Sequence, residues 1–404
     1  MPYRRCLQLA LSLALLGSCA TAERSPSVES PYVAPRTLRV GEILHLATGR
    51  LLAESEALEY LSRFPVVYVG EAHDNADAHA VELTVLRGMH ERFPGQVALG
   101  LEMLQRPFQA DADAFVSGAM SERDFHRVWL KNWTDFAAYR EILRYARDHR
   151  IPLVALNASA AMRRAAREHT PSAPAPPGPV PLSEADVQDR YHRQFVDAIF
   201  GGHGKGVRDA EAFYRVQVLW DETMAQTAAE YLESQAGRGR RLIVFAGGLH
   251  VRYGFGIPRR LFRRVPLPFV IVEPYVNSAL VEVPKEDQMA VELPVPPLRP
   301  ADIYWSVGYR TSRDQQVKLG LLIEESGSAG VRVTGVTPGG PGHAAGLRAG
   351  DVIVAVDGAA VKEVSDLVYE VSLRARGQTG TIEVLRTGER VRLPVTYDVP
   401  RRGP

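Results

Sequence analysis

Acidic, imidazole and amide side chains follow four apolar segments of this sequence, each close to the residue where the segment ends. If these segments are parallel strands, their carboxyl ends lie at one edge of a sheet, and we expect the side chains to converge on one crevice. Two imidazoles and two carboxylates in one crevice have two chemical uses, metal binding and proton transfer. The candidate residues are Glu71, His73, His79, Glu102, Asn157 and His250.

The first use is a metal site. His73, Glu102 and His250 would hold a divalent ion such as zinc or manganese and leave one position open for water, whose pKa zinc lowers to about 7. The second use needs no metal, because a glutamate whose pKa is raised by burial next to a histidine acts as a general acid or base. A purely structural alternative is that Glu71 and Glu102 cap helices or pair with arginines such as Arg106. The residues alone leave all three open.

These side chains need a scaffold, and the pattern around them predicts an α/β fold, a mostly parallel sheet flanked by helices. Five short runs rich in Val, Ile and Leu lack polar alternation, which is typical of strands buried on both faces. Longer amphipathic segments alternate with these runs and predict helices. Strands are predicted at 65–69, 97–101, 152–156, 242–245 and 269–272, and helices at 78–93, 136–149 and 210–235.

The first nineteen residues predict a lipoprotein signal. Two arginines precede an apolar run that is too short to span a bilayer. The run leads into Leu16-Gly17-Ser18-Cys19, which resembles the lipobox of bacterial lipoproteins, so we expect cleavage of residues 1–18 and a lipid on Cys19. Residues 19–40 are predicted to form a flexible tether. These features predict a lipid anchor in the bacterial cell envelope, at the outer membrane facing the periplasm.

The composition narrows the functions and the domain organisation. The 48 Lys+Arg nearly balance the 47 Asp+Glu, which argues against a nucleic-acid partner, because such binders concentrate positive charge. Both cysteines of the 404-residue chain lie within the first nineteen residues, so no thiol is left for disulfide or thiolate chemistry. A proline-rich stretch at 284–305 predicts a linker between a larger domain, 41–283 with a Pro-rich insertion at 170–182, and a smaller one, 306–398.

The larger domain carries several motifs in a defined order, from about residue 44 to about residue 273. They are Gly70-Glu71-Ala72-His73-Asp74-Asn75 with His79, Leu99 to Met103, Trp133 to Asn157, Tyr214 to Ala225 and Ala246 to Pro258. Together they resemble the ChaN family of bacterial lipoproteins, which shares a superfamily with the Tiki metalloproteases and erythromycin esterases. The resemblance implies haem binding linked to iron uptake, with haem in a homodimer interface and a tyrosine as the iron ligand, since phenolate is a hard anionic donor. The candidate ligands are Tyr139, Tyr214 and Tyr253.

The smaller domain carries the segments Val331 to Pro341 and Ala344 to Gly358. They resemble a PDZ domain of the bacterial periplasmic protease type. Such domains bind an extended peptide by strand addition and hold its terminal carboxylate with backbone N–H groups. Residues 318–323 match the carboxylate-binding loop and the strand after it. The resemblance therefore implies peptide contacts at Leu319, Gly320, Leu321 and Leu322.

Three functions are open on these grounds. The first is a haem-binding envelope lipoprotein whose PDZ domain docks a protein C-terminus or an extended peptide. The second is a Tiki-like metal-dependent hydrolase of peptides or esters, with His73, Glu102 and His250 as metal or catalytic residues. The third is a scaffold with an inert crevice whose activity is all peptide binding.

Overall fold

A computed structural model describes residue 32 and residues 37–168, 186–202, 209–288, 291, 293–311, 316–327 and 330–398 of the chain. The predicted signal, Cys19 and the insertion predicted at 170–182 lie outside these residues. Within the described ranges, no helix is long and apolar enough to cross a membrane. The described strands form two sheets, each with its own hydrophobic core.

The first sheet has eight strands. They are β1 (Ile43–His45), β2 (Arg50–Leu52), β3 (Val66–Glu71), β4 (Val97–Gln105), β5 (Leu153–Asn157), β6 (Arg241–Gly247), β7 (Phe269–Val276) and β8 (Ile303–Val307). Their order across the sheet is β2-β1-β8-β7-β3-β6-β4-β5. The strands from β8 to β5 are parallel, whereas β1 is antiparallel to both of its neighbours.

Helices cover both faces of this sheet. They are α1 (Glu54–Leu61), α2 (Ala76–Arg92), α3 (Gln109–Ser117), α4 (Glu122–Asn132), α5 (Phe136–Asp148), α6 (Ala160–Glu168), α7 (Arg190–Gly202), α8 (Ala210–Glu233), α9 (Gly248–Val251) and α10 (Ile257–Arg264). Side chains alternate along each strand, so Val67 and Val69 pack with α1 to α5, whereas Val66 and Tyr68 pack with α8 to α10. Because both faces are covered, these strands lack the polar alternation of a solvated sheet. The predicted α/β class is confirmed.

Two boundaries differ from the sequence-based expectation. β4 continues to Gln105 instead of ending at residue 101, so Glu102 is a strand residue. The linker predicted at 284–305 and the domain predicted at 306–398 cut through β8, which belongs to the first sheet, between β7 and β1. The difference arises because β8 pairs with β1 near the start of the domain, a contact that local sequence does not encode.

The second domain is a small β-rich unit. It contains β9 (Leu321–Glu325), β10 (Val331–Val336), α11 (Pro341–Ala344), β11 (Val352–Val356), β12 (Ala359–Ala360), α12 (Val364–Ser372), β13 (Thr379–Arg386) and β14 (Glu389–Thr396). Its strand order is β14-β13-β11-β10-β9, with β12 paired to β11, so β9 is an edge strand. Buried Val, Ile and Leu side chains from β10, β11, β13 and α12 form its core.

The two domains contact each other through α4 of the first and α12 of the second. Arg123 Nε donates a 3.0 Å hydrogen bond to the buried Asp366 carboxylate, which also pairs with Arg127. Arg140 of α5 donates to the Ser372 carbonyl oxygen over 2.8 Å. These contacts hold α12 against the first domain.

Candidate functional site

The carboxyl ends of β3, β6 and β4 lie side by side, and most of the predicted site residues converge there. Glu71 is the last residue of β3, and Glu102 lies in β4. His73 follows β3 in the turn before α2, and His79 lies in the first turn of α2. His250 lies in α9, which begins directly after β6. We call this group the crevice cluster.

Glu71 is the centre of one half of the crevice cluster. Its carboxylate lies 2.8 Å from His73 Nδ1 and 2.8 Å from His79 Nδ1. It also accepts a 2.6 Å hydrogen bond from the Tyr139 hydroxyl. His79 Nδ1 lies 2.9 Å from Glu82, and its Nε2 lies 3.1 Å from the His73 carbonyl oxygen. The His73 side chain is 37% exposed, whereas the side chains of Glu71, His79 and Glu82 are buried.

Glu102 is the centre of the other half. Its Oε2 accepts a 2.7 Å hydrogen bond from the Gly247 N–H, and its Oε1 lies 3.3 Å from His250 Nε2 and 3.9 Å from His73 Nε2. His250 Nδ1 in turn lies 2.6 Å from Asp221. Carboxylates and imidazoles therefore alternate along one path. In order they are Asp221, His250, Glu102, His73, Glu71, His79 and Glu82.

This alternation decides the charge of each group. Burial is the largest single effect on His79 and disfavours its charged form, but the charges and hydrogen bonds of Glu71 and Glu82 together outweigh burial and raise the pKa of His79 to about 11. In the same way, burial is outweighed at His250 by Glu102 and Asp221 together, which raise its pKa to about 10. At His73 it is outweighed by Glu102 and Glu71 together, which raise its pKa to about 9. The imidazoles are therefore cationic at neutral pH, and the cations hold the pKa of Glu71 well below its usual range against the effect of burial.

Glu82, which borders the crevice cluster, behaves differently from Glu71 and Glu102. Burial, with the nearby charge of Glu71, raises its pKa to about 8. At neutral pH Glu82 is therefore mostly protonated, and one of its carboxyl oxygens is buried without a hydrogen-bond partner among the described residues. The path thus ends in a neutral acid next to a cationic histidine, an arrangement suited to storing or passing a proton.

A glycine at position 247 allows these groups to approach. A Cβ there would lie 2.7 Å from His73 Nε2 and 3.5 Å from Glu102 Oε2. Any side chain at this position would therefore displace the imidazole. The observed geometry of the site therefore requires glycine at position 247.

The predicted metal set and the observed geometry differ. His73 and His250 both face Glu102, but at 3.9 Å and 3.3 Å they make ion-pair contacts with its carboxylate. Within the described ranges, the group whose potential ligand atoms all lie within 4.8 Å of one another is Glu71, His79 and Glu82. A carboxylate-rich set with one imidazole suits zinc or manganese once its protons are lost. The structure thus favours a deeper position for any ion.

The three candidate haem ligands have different environments. Tyr139 is fully buried and its hydroxyl donates a hydrogen bond to Glu71, and burial raises its pKa well above the usual value. Tyr214 is also buried, which raises its pKa to about 12, and its hydroxyl has no partner among the described residues. Only Tyr253, of these three, is partly exposed. Its backbone has φ 58°, a conformation that non-glycine residues rarely adopt.

The remaining predicted contacts fall outside the crevice cluster. Asn157 Nδ2 donates a 2.9 Å hydrogen bond to the Glu102 carbonyl oxygen, so it joins two strand ends. Arg106 pairs with Glu230 at 2.8 Å, so the suggestion that it neutralises Glu71 or Glu102 is wrong.

Sequence reasoning missed three residues of the site. Asp221 lies on α8 one turn after Gln217, and both contact His250 Nδ1. Glu82 follows His79 by three positions in α2, which places the two side chains on one helix face. Helical spacing is the signal that could have identified both acids. It does not show which face of a helix lies against the sheet edge, so the sequence did not single them out.

A second candidate site lies on the smaller domain, between the edge strand β9 and α12. Leu319 and Leu321 line this groove, and Gly320 between them has φ 68°. The N–H groups of Leu319 and Gly320 donate no hydrogen bond to a described residue. The Leu322 side chain is 67% exposed and does not line the groove, so Leu322 is available to a peptide only through its backbone.

Comparison with protein families gives two matches. Residues 57–261 match the family described as haem-binding uptake, Tiki superfamily, ChaN, and residues 308–396 match the PDZ domain family. The fold is similar to the solved structure of ChaN of Campylobacter jejuni with cofacial heme binding. That similarity has a TM-score of 0.51 and 16% sequence identity, and covers 67% of this chain and 96% of that chain.

Curated relatives are similar over shorter segments. The magnetosome formation protease MamE of Magnetospirillum gryphiswaldense is 40% identical over 72 residues, 18% of this chain and 9% of that protein. The chloroplastic C-terminal processing peptidase of Tetradesmus obliquus is 43% identical over 95 residues, 20% of each protein. A probable DegP-like periplasmic serine endoprotease of Chlamydia trachomatis is 40% identical over 67 residues, 17% of this chain and 14% of that protein. The chain therefore spans a fifth or less of these relatives.

Proposed function

Because this chain belongs to the haem-binding uptake, Tiki superfamily, ChaN family and carries a PDZ domain, we propose that it is an envelope lipoprotein that binds haem and docks a protein C-terminus. The first domain takes the haem, in the interface of a homodimer. The PDZ domain captures the peptide. A lipid on Cys19 anchors the chain at the outer membrane, facing the periplasm.

The observation that carries the haem proposal is the position of Tyr253. Its hydroxyl donates no hydrogen bond to a described residue, and its ring stacks on Phe255 with centroids 5.2 Å apart. Phe195 packs edge-on against Tyr253 at 5.8 Å, and Tyr191 lies parallel to Phe255 at 6.2 Å. Phe195 and Phe255 are buried beneath this group, whereas Tyr253 and Tyr191 are exposed in part. The exposed aromatic rings fit the flat apolar face of a porphyrin.

Tyr253 would hold the haem iron, since bound haem presents an Fe(III) that accepts a hard phenolate donor. Burial raises the pKa of Tyr253, and the adjacent positive charge of Arg252 opposes that shift. Arg252 is itself held by Glu273, so its position is defined. Without iron, Tyr253 is therefore the neutral phenol at neutral pH, and its proton would be released when Fe(III) binds the oxygen.

Hemin titration of the full chain, followed by the Soret band, tests this assignment. Wild type is expected to give a saturable band with a tyrosinate-type spectrum, and Tyr253→Phe to lose that spectrum. Tyr214→Phe and His73→Ala are matched controls that keep it. A wild-type spectrum in Tyr253→Phe would show that another residue binds the haem iron. The molar mass from light scattering, with and without hemin, tests whether the chain is a homodimer when haem is bound.

The docking proposal is supported by the N–H groups of Leu319 and Gly320, which donate to no described residue, and by the edge position of β9. A carboxylate accepts from the N–H groups while the peptide backbone extends the sheet. Decapeptides with a free C-terminus should bind, and peptides of the same sequence with an amidated C-terminus should not. Equal binding of both forms would contradict carboxylate capture.

The anchoring proposal rests on the lipobox-like segment ending at Cys19. Metabolic labelling with a radioactive fatty acid should mark wild type in the membrane fraction. Cys19→Ser should be unlabelled and released from that fraction. Labelling of the variant would place the lipid on another residue.

A second function, Tiki-like metal-dependent hydrolysis, is favoured by the grouping of Glu71, His79 and Glu82. These residues would hold the ion, and the partly exposed His73 would move a proton at Nε2. Elemental analysis of purified wild type and Glu82→Gln tests this alternative. Stoichiometric zinc or manganese in wild type, lost in Glu82→Gln, would support it, whereas absence of metal from both, after incubation with either ion, would reject it.

A further inference from the structure

The peptide groove opens into a large cavity that both domains line. Its volume is about 1120 Å³. The PDZ side contributes the loop and strand around Leu319 to Ile323 and one face of α12, through Leu367, Val368 and Val371. The opposite wall comes from the first domain, from the end of α4 and the start of α5. These wall residues are His126, Leu130, Asp135, Phe136 and Ala137.

The wall is held in a defined position next to the groove. Arg127 pairs with Asp366 and lies 2.5 Å from Glu363, and Arg123 lies 3.6 Å from Glu370. The Asp366 side chain is buried, so its ion pairs are less screened by salt than surface pairs. At the other end, Gln316 Nε2 donates a 2.5 Å hydrogen bond to Asp135. The wall is therefore tied to the PDZ domain on both sides of the cavity.

The wall offers the chemistry that an apolar peptide terminus needs. The Leu130 side chain is 42% exposed although it lines a cavity. His126 is 2% exposed, and its Nδ1 has no hydrogen-bond partner among the described residues. An exposed leucine and an unsatisfied buried nitrogen both gain from a ligand that brings an apolar side chain and a backbone donor.

We propose that the PDZ groove and the α4–α5 wall form one composite site for the C-terminal segment of a partner protein that ends in an apolar residue. The proposal rests on the peptide docking proposed above and adds the first domain as part of the binding surface. Lys318 at the loop provides a positive charge near the terminal carboxylate. The apolar side chains of the last residues lie between Leu321 on one side and Leu130 on the other.

Fluorescence anisotropy with the full chain tests this proposal. The probes are labelled decapeptides with a free C-terminus and Val, Leu, Phe or Asp as the last residue. Wild type should prefer the apolar endings, and Leu130→Ser should bind the best of them about fivefold more weakly, the loss of part of one leucine contact. Leu130→Glu should bind more weakly still, because its charge repels the carboxylate. Leu51→Ser, an exposed leucine of β2 outside the groove, is the matched control and should bind as wild type does.

The outcomes separate the two proposals. If wild type binds no peptide with a free C-terminus, the docking proposal fails and the composite site with it. If wild type binds but Leu130→Ser and Leu130→Glu have the wild-type affinity, docking stands and the composite site is overturned. Equal affinity for peptides that end in Asp and in apolar residues also overturns the proposal that the bound segment ends in an apolar residue. Thermal unfolding of each variant verifies that it is folded.

Discussion

The crevice cluster and the composite groove differ in the physical origin of their geometry. In the crevice, every charged group except the partly exposed His73 is buried and needs an oppositely charged neighbour, so the shape of the site is set by ion pairs within 4 Å. In the groove, apolar side chains and backbone N–H groups that donate to no described residue face a cavity, and the ion pairs of Arg127 and Asp366 that fix the wall lie behind it. A substitution in the crevice therefore acts on stability first, whereas one in the groove acts on binding first.

The two regions meet at the turn between α4 and α5. Leu130 lines the groove, and three residues later the Trp133 ring packs edge-on against the His73 imidazole, with centroids 4.9 Å apart. A single short segment thus borders both sites. Their difference is best tested by variants that change one region at a time.

The largest effect is expected from Glu71→Gln in the crevice. Removing this charge leaves the buried imidazolium of His79 and the partly exposed one of His73 without their shared carboxylate, which costs about 3 to 5 kcal/mol of the free energy of unfolding. Glu59→Gln is the control, since Glu59 forms an exposed pair with Arg63 and should cost less than about 1 kcal/mol. Urea unfolding measures both. Similar losses in the two variants would contradict the role of buried charge.

The regions should also differ in the direction of their pH dependence. Burial, with Arg140 and Arg127, lowers the pKa of His126 to about 4, against the smaller opposing effects of Asp366 and Glu122. Between pH 6.5 and 4 the unfolded chain binds a proton that the folded chain does not, so stability falls as the pH falls, by about 2 kcal/mol between pH 6.5 and 5. His126→Gln should remove this slope in urea unfolding, and an unchanged slope would disprove the assignment.

The stability contributed by the crevice should depend on pH in the opposite direction, falling as the pH rises. The pKa of His250 is raised to about 10, so its stabilising contribution is complete below pH 6.5 and is lost as the pH rises through 10. Comparing His250→Gln with wild type between pH 7 and pH 10 should show the gap in unfolding free energy closing. A gap that is constant over this range would show that the charge of His250 does not stabilise the fold.

A smaller effect is expected at the carboxylate loop. Gly320 has φ 68°, so Gly320→Ala should cost about 1 kcal/mol of the free energy of unfolding from backbone strain. Gly388→Ala, in the hairpin between β13 and β14 at φ 90°, should cost a similar amount. Only Gly320→Ala should weaken the binding of free-carboxylate peptides. Loss of binding in both would indicate a global effect.

The smallest effect is expected from Tyr214→Phe. The Tyr214 hydroxyl is buried without a partner among the described residues, so its removal should change the free energy of unfolding by less than about 0.5 kcal/mol. A loss well above 1 kcal/mol in urea unfolding would show that the hydroxyl has a partner in solution.

Much of the fold and part of the candidate site were predictable from the sequence. Unbroken apolar runs predicted five of the six parallel strands because a strand covered on both faces has no solvated side. The residues directly after those strands were identifiable because parallel strands end at one edge. Asp221 and Glu82 were not identified, since they lie in helices whose orientation to the sheet depends on packing.

By itself, the sequence determined the α/β class, the order of five strands and three helices of the first domain, the residues at the strand ends and the PDZ-like segments, since each of these is a local pattern. Only the tertiary structure decided that β8 completes the first sheet, that Glu71 and Glu102 hold three imidazoles in their charged form, and that α4 walls the peptide groove. These features depend on contacts between residues far apart in the chain, and the burial that makes such contacts strong exists only after the chain has packed.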